Sequence, residues 1–213
     1  MIGIPYPGVS EVKRNLRDIL KPAISLFVIC VVVSAALGFT YSGTKNVIEE
    51  RRRLDEISAR KEVLSTAETF EAVETLDDIV KSNSKLNMVK EAYKGLNGEK
   101  VEGYVITAIS KGYGGDVKVI VGVDGSKKIT GVKIVEHSET PGLGAKAENP
   151  EFLSQFVNIV PKEPFKVVKD NKVKTEEIDA ISSATITSKA VTNAVQAAAD
   201  VAFELINEGG SSK

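Results

Sequence analysis

The sequence predicts an α+β protein: a single N-terminal transmembrane helix and helical stalk, then an antiparallel sheet packed by helices. Three observations carry this. Residues 22–41 contain no charged side chain. From Asn87 onward the apolar residues follow a strand period, and the runs are broken by Asn97-Gly98 and Asp124-Gly125, both strong hairpin signals. From Ser188 to Asn207 the period returns to that of an amphipathic helix.

Residues 1–21 read as a short polar tail with the cations Lys13, Arg14, Arg17 and Lys21. The 20 uncharged residues that follow, 22–41, reach about 30 Å as a helix, the thickness of a bilayer's hydrocarbon core. A signal peptide has a shorter apolar region and a small-residue cleavage site. Here the run is long and a helical continuation follows it, so it is expected to remain as an anchor. Lys45, Arg51, Arg52 and Arg53 lie just beyond it. Cations therefore balance across the span, and charge sets no orientation.

Residues 42–86 are charged and helix-favouring, with Val47, Leu54, Ile57 and Val63 forming a loose stripe. They are expected to form a helical stalk, with a second helical piece over about 67–81. Arg51–Arg53 can meet lipid headgroups or simply solvent. The folded domain is expected over 87–208 and a tail over 209–213. Runs at 88–96, 101–110, 117–123 and 129–135 predict a four-stranded meander. Between the second and third runs, Gly112, Gly114 and Gly115 mark a close backbone approach or a sharp bend. A short helix is expected at Glu151–Val157 and a strand at Phe165–Val168. The last helix carries its apolar set on Val191, Ala194, Val195, Ala198, Val201, Ala202, Leu205 and Ile206.

Net charge is −1, which gives no electrostatic case for nucleic acid. One Cys, Cys30, and one His, His137, exclude a disulfide framework, a CxxC zinc site, a Cys-ligated iron–sulfur cluster and C-x-x-C-H haem. Electron transfer by this chain would need an organic cofactor.

Two stretches carry chemistry. Asp179-Ala180-Ile181-Ser182-Ser183-Ala184-Thr185 leads into the final helix, and Ser182, Ser183, Thr185, Thr187 and Ser188 crowd five hydroxyls into seven residues. A helix N-terminus offers unpaired N–H groups and positive potential, so it seats a phosphate. The same residues also suit an abundantly supplied N-cap. The second stretch is Glu139-Thr140-Pro141-Gly142-Leu143-Gly144, a Pro-Gly turn with uncluttered backbone. Lys189 stands one helical turn beyond Thr185 and offers a cation on that face.

The first stretch resembles the flavinylation motif of extracytoplasmic FMN-binding domains. The second resembles the loop over the flavin ring in the G subunit of the Rnf complex and in the C subunit of the sodium-pumping NADH:quinone reductase. The usual motif has Gly at the position of Ser183; Gly reaches φ > 0 freely and Ser does not, which predicts a tighter turn. The resemblance covers essentially the whole chain.

It implies FMN joined covalently through its phosphate to Thr185 by a separate flavin transferase that uses FAD. Ser182, Ser183, Ala184 and Asp179 would lie around the phosphate, and the helical spacing of Lys189 from Thr185 would let its ammonium reach it. Glu139, Thr140, Leu143 and Gly144 would lie around the ring. It implies a cytoplasmic N-terminus, a domain outside the inner membrane, and the other components of the Rnf complex and lipid as partners. The expected role is an electron carrier, in a complex that passes electrons between ferredoxin and NAD and exports sodium or protons. The alternatives are the C subunit of the NADH:quinone reductase and an anchored binding module without redox activity.

Overall fold

The computed structural model describes residues 9–82 and 84–210; of the expected tails, 1–21 and 209–213, residues 1–8 and 211–213 lie outside the described residues, and 9–21 and 209–210 are helical instead. Two compact units divide the chain, Met1–Arg53 and Leu54–Lys213. In the first unit the described residues are helical from Val9, within α1 (Val9–Val63). Residues 22–41 are exposed throughout, and the helix is long and apolar enough to cross a bilayer.

In the second unit the strands are β1 (Thr69–Ala72), β2 (Val89–Asn97), β3 (Lys100–Lys111), β4 (Asp116–Asp124) and β5 (Ile129–Glu136). They form one antiparallel sheet in the order β1-β2-β3-β4-β5. The expected meander is therefore present, with the Asn97-Gly98 and Asp124-Gly125 turns at β2–β3 and β4–β5. It has five strands rather than four. The extra strand, β1, and the helix α2 (Leu76–Ser82) fall where a stalk helix was expected. Phe70, Glu71 and Ala72 pair with Gly95, Lys94 and Tyr93 of β2. This short edge strand carries no alternating apolar pattern, so long-range pairing overrides its local helix preference.

The sheet is covered on both faces. One face, with Ile106, Val117, Val119 and Val121, packs on α4 (Thr185–Gly210). Alanines let that helix approach closely: Ala194, Ala198 and Ala202 are fully buried against the sheet core. The other face, with Val105 and Ile120, takes Ala59 and Val63 from the last turns of α1 and Leu64 just after it. Arg60 lies 3.7 Å over the Tyr93 ring and pairs with Glu56 and Glu91. Thr130 Oγ1 donates to the Val63 carbonyl at 2.5 Å, satisfying one orphan acceptor at the helix end.

After β5 comes a 3-10 turn (Gly144–Glu148); α3 (Pro150–Leu153) and a second 3-10 turn (Ser154–Phe156) then stand where one helix was expected over Glu151–Val157. Phe156 stacks edge-on with Phe152 and Phe165. The strands β6 (Lys166–Val168) and β7 (Glu177–Asp179) form a small parallel pair. β7 delivers the chain to the start of α4.

Candidate functional site

Helix α4 begins without a side-chain cap. Ser188 N–H donates to the Ala184 carbonyl at 3.0 Å, so Ala184 holds the capping position and its methyl accepts nothing. Thr185, Ile186 and Thr187 are the first three helical residues. Their N–H groups point out of the helix with no intrahelical acceptor. The five hydroxyls are not an oversupplied cap. Ser188 Oγ donates to the Ala184 carbonyl at 3.0 Å and accepts from Ile181 N–H at 2.9 Å. Buried Thr187 donates to Glu139 Oε2 at 2.7 Å. Ser182, Ser183 and half-buried Thr185 keep hydroxyls without a protein partner among the described residues.

The turn before the helix is left-handed at Ser183, with φ 63°. The position where glycine is usual thus adopts the conformation that favours glycine, and the chain accepts the strain. The preceding residues are clamped. Asp179 N–H donates to Gln155 Oε1 at 2.9 Å, and Gln155 Nε2 donates to the Asp179 carbonyl at 3.2 Å. Asp179 Oδ1 accepts from Lys172 N–H at 3.1 Å.

Glu139, from the loop after β5, reaches this helix start. Its side chain is only 6% exposed. Oε1 accepts from the N–H groups of Tyr113 and Gly114 at 2.8 and 3.1 Å, and Oε2 accepts from Thr187. One carboxylate therefore ties together the β3–β4 loop, its own loop and the first turn of α4. The glycines follow from this: a Cβ on Gly112 or Gly144 would collide with the Glu139 carboxylate. Of the two readings of the glycine cluster, close approach is the one realised. In the adjoining turn, Leu143 N–H donates to the Thr140 carbonyl at 3.2 Å and Gly142 has φ 79°. This is the Pro-Gly turn, with the glycine at its positive-φ position.

These segments enclose a cleft of about 450 Å³. Glu139, Thr140, Leu143 and Gly144 line one side, and Ser183, Ala184 and Thr185 line the other. Buried Thr187 lines it too, and two residues not singled out from the sequence complete it, Tyr113 and Ile186, exposed at 74% and 54%. The sequence signals for them were an aromatic inside a glycine cluster and an isoleucine off the apolar stripe of α4. A second hollow of about 300 Å³ opens on the other side of Thr185, lined by Lys169, Asp170, Ser182, Ser183 and Thr185. Ser182 belongs to that hollow, and Asp179 to a third of about 240 Å³ beside Gln155. Lys189 is exposed on α4 and lines none of these three spaces. The loop that brings Lys169 is held by Glu177, whose carboxyl accepts from the N–H groups of Val173 and Lys174 at 2.7 and 3.1 Å. Those two bonds hold its pKa below the ordinary carboxylate value.

The cleft lies within a stretch that is recognisable in other proteins. Residues 112–200 match the model of the FMN-binding domain. Over 192 residues the chain is 40% identical to the G subunit of the Na(+)-translocating ferredoxin:NAD(+) oxidoreductase complex of Acetobacterium woodii, spanning 87% of this chain and 92% of that one. It is 35% identical over 189 residues to the G subunit of the ion-translocating oxidoreductase complex of Methanosarcina acetivorans, spanning 86% and 94%. Among solved structures it is similar to NqrC of Shewanella oneidensis, at 25% identity and a TM-score of 0.47, over 55% of this chain and 61% of that one. At this identity and over this length, the chain belongs to the family of G subunits of ion-translocating oxidoreductase (Rnf) complexes.

Proposed function

We propose that the protein is the electron-carrying subunit of a membrane-bound ion-translocating ferredoxin:NAD oxidoreductase complex, with one FMN joined through its phosphate to Thr185 Oγ1. One observation carries this reading. A half-buried threonine with an uncommitted hydroxyl stands on the first residue of α4, in a cleft that also holds the Glu139–Gly144 loop.

The residues fit the group. A cleft of about 450 Å³ is within the usual size of a cofactor site. The N–H groups of Thr185, Ile186 and Thr187 and the helix dipole favour an anionic phosphate there. Leu143, Tyr113 and Ile186 offer apolar surface for a flat ring, and Thr140 with the backbone of Leu143 and Gly144 borders it. Glu139 spends its carboxylate on the protein, so its role is to hold the walls in place.

FMN, once attached, supplies one-electron transfer. The chain's part is to fix the phosphate, shield a ring face and set the local polarity. Attachment needs a flavin transferase and FAD: Thr185 Oγ1 bonds to the flavin-side phosphorus, the pyrophosphate linkage breaks, AMP leaves with the bridging oxygen, and the hydroxyl proton passes to solvent. A tethered flavin is not lost by diffusion, which suits a domain outside the cytoplasm. In this reading the apolar helix anchors the chain in the inner membrane with its N-terminus inside, among lipid and the other components of the Rnf complex. The chain itself binds neither ferredoxin nor NAD.

Two experiments test the proposal. After co-expression with a flavin transferase, the denatured chain should fluoresce in a gel and weigh more by one FMN less water, and Thr185→Val should abolish both. Flavin retained in Thr185→Val overturns the attachment site, and a chain that never carries flavin favours the non-redox module. Protease added to intact spheroplasts should cut beyond Tyr41; cutting only in inverted vesicles reverses the orientation.

A further inference from the structure

The chain's single histidine is placed against the residue that holds the cleft together. Nδ1 of His137 accepts the backbone N–H of Glu139 at 3.0 Å. Nε2 lies 3.1 Å from Glu148 Oε1, and the imidazole is 16% exposed. An amide N–H only donates, so Nδ1 must present its lone pair to it. The proton of the neutral ring therefore resides on Nε2, the nitrogen beside the Glu148 carboxylate. The bond from the Glu139 amide exists only while Nδ1 is unprotonated. A second proton would occupy Nδ1 and set N–H against N–H.

The surrounding charges decide which contact yields. Glu148 gains an ion pair with the protonated ring and keeps it. Glu136 and Glu139 flank His137 on its own segment, and Lys146 shares the 3-10 turn of Glu148. Lys118 stands opposite Glu136 in the β4–β5 ladder with its ammonium on Glu56. The protonated ring stays with Glu148, and the Glu139 amide is the contact that is lost.

We propose that His137 is a proton-linked positioning residue of the cleft. Its protonation releases the Glu139 backbone and loosens the carboxylate that holds Tyr113, Gly114 and Thr187. An imidazole changes charge between about pH 5 and 8. The cleft is therefore tightest with the ring neutral and opens when the ring is protonated. What this does to a bound flavin rests on the function proposed above; the change in the protein does not.

The test is hydrogen exchange on the full chain in nanodiscs at pH 8 and pH 5, corrected for intrinsic rates, with and without attached flavin. In the wild type, protection of the Tyr113 and Gly114 amides should fall about fivefold on acidification, the equivalent of one net hydrogen bond. His137→Asn places an amide oxygen where Nδ1 accepts and cannot titrate, so its protection should be the same at both pH values. His137→Ala should be poorly protected at both. Unchanged protection in the wild type overturns the proposal, as does an Asn variant that loses protection like the wild type. A ¹⁵N-histidine label gives a second reading from the one ring: a proton on Nδ1 at pH 8 also overturns it. Missing flavin mass would sink the proposed function and leave this result standing.

Discussion

Glu139 gives the sharpest structural prediction, because removing its carboxylate and merely neutralising it should differ. In Glu139→Ala three donors lose their acceptor: Tyr113 N–H, Gly114 N–H and the Thr187 hydroxyl. A net hydrogen bond to a charged group contributes about 1.5–3 kcal/mol, so the three set a ceiling of about 5–9 kcal/mol. Water discounts that ceiling. Tyr113 is 74% exposed at the mouth of the cleft, so its N–H rehydrates, whereas Thr187 is 1% exposed and does not. We expect Glu139→Ala to cost about 2–4 kcal/mol. Glu139→Gln keeps every bond. Its Oε1 still accepts the two N–H groups, and its Nε2 donates to a Thr187 hydroxyl turned to accept. Only the charge assistance is lost, about 1 kcal/mol. Urea unfolding of the two variants in detergent, read by circular dichroism, separates them. Equal losses in both, or a loss under about 1 kcal/mol in the alanine variant, would refute the three-way tie.

Other residues give further expectations. Ser183→Gly should raise stability by about 0.5–1 kcal/mol, because the left-handed φ of 63° suits glycine more than it loosens the unfolded chain; a loss in the urea midpoint would contradict it. Leu143→Ala should keep the attached flavin mass and shift its absorption or reduction potential; an unchanged spectrum and potential would place the ring elsewhere. Glu177 has a depressed pKa, so its contribution is present above the ordinary 4.5 and is lost as the pH falls through its lower folded value. Glu177→Gln should therefore speed exchange of the Val173 and Lys174 amides at pH 7, with the difference from wild type shrinking in acid.

The sheet and the last helix were legible because their signals are local. Alternation in β3 and β4, two Gly-containing turns and the spacing from Val191 to Ile206 each depend on near neighbours. β1 was not legible: Phe70 and Glu71 become a strand only by pairing with Gly95 and Lys94, more than twenty residues on. At the site, both chemical stretches were readable, but the tighter turn expected from Ser183 was not realised: Ser183 takes the left-handed φ of 63° that a glycine would. What joins them was not readable. The partners of Glu139 lie 26 residues earlier at Tyr113 and 48 later at Thr187, and no pattern in the chain links them. The hydroxyl cluster was ambiguous for the same reason. Only the fold commits Thr187 and Ser188 to protein bonds and leaves Thr185 uncommitted.

That distinction is open to direct measurement. Trypsin cutting after Lys174 and Lys189 releases residues 175–189, a peptide that carries all five hydroxyls of the helix start. Fragmentation of this peptide from protein matured with a flavin transferase assigns the added mass to one residue. The account predicts FMN on Thr185, with Ser182, Ser183, Thr187 and Ser188 unmodified. FMN on Thr187 or Ser188 would contradict it, because those hydroxyls are buried and already bonded; so would a peptide of unmodified mass.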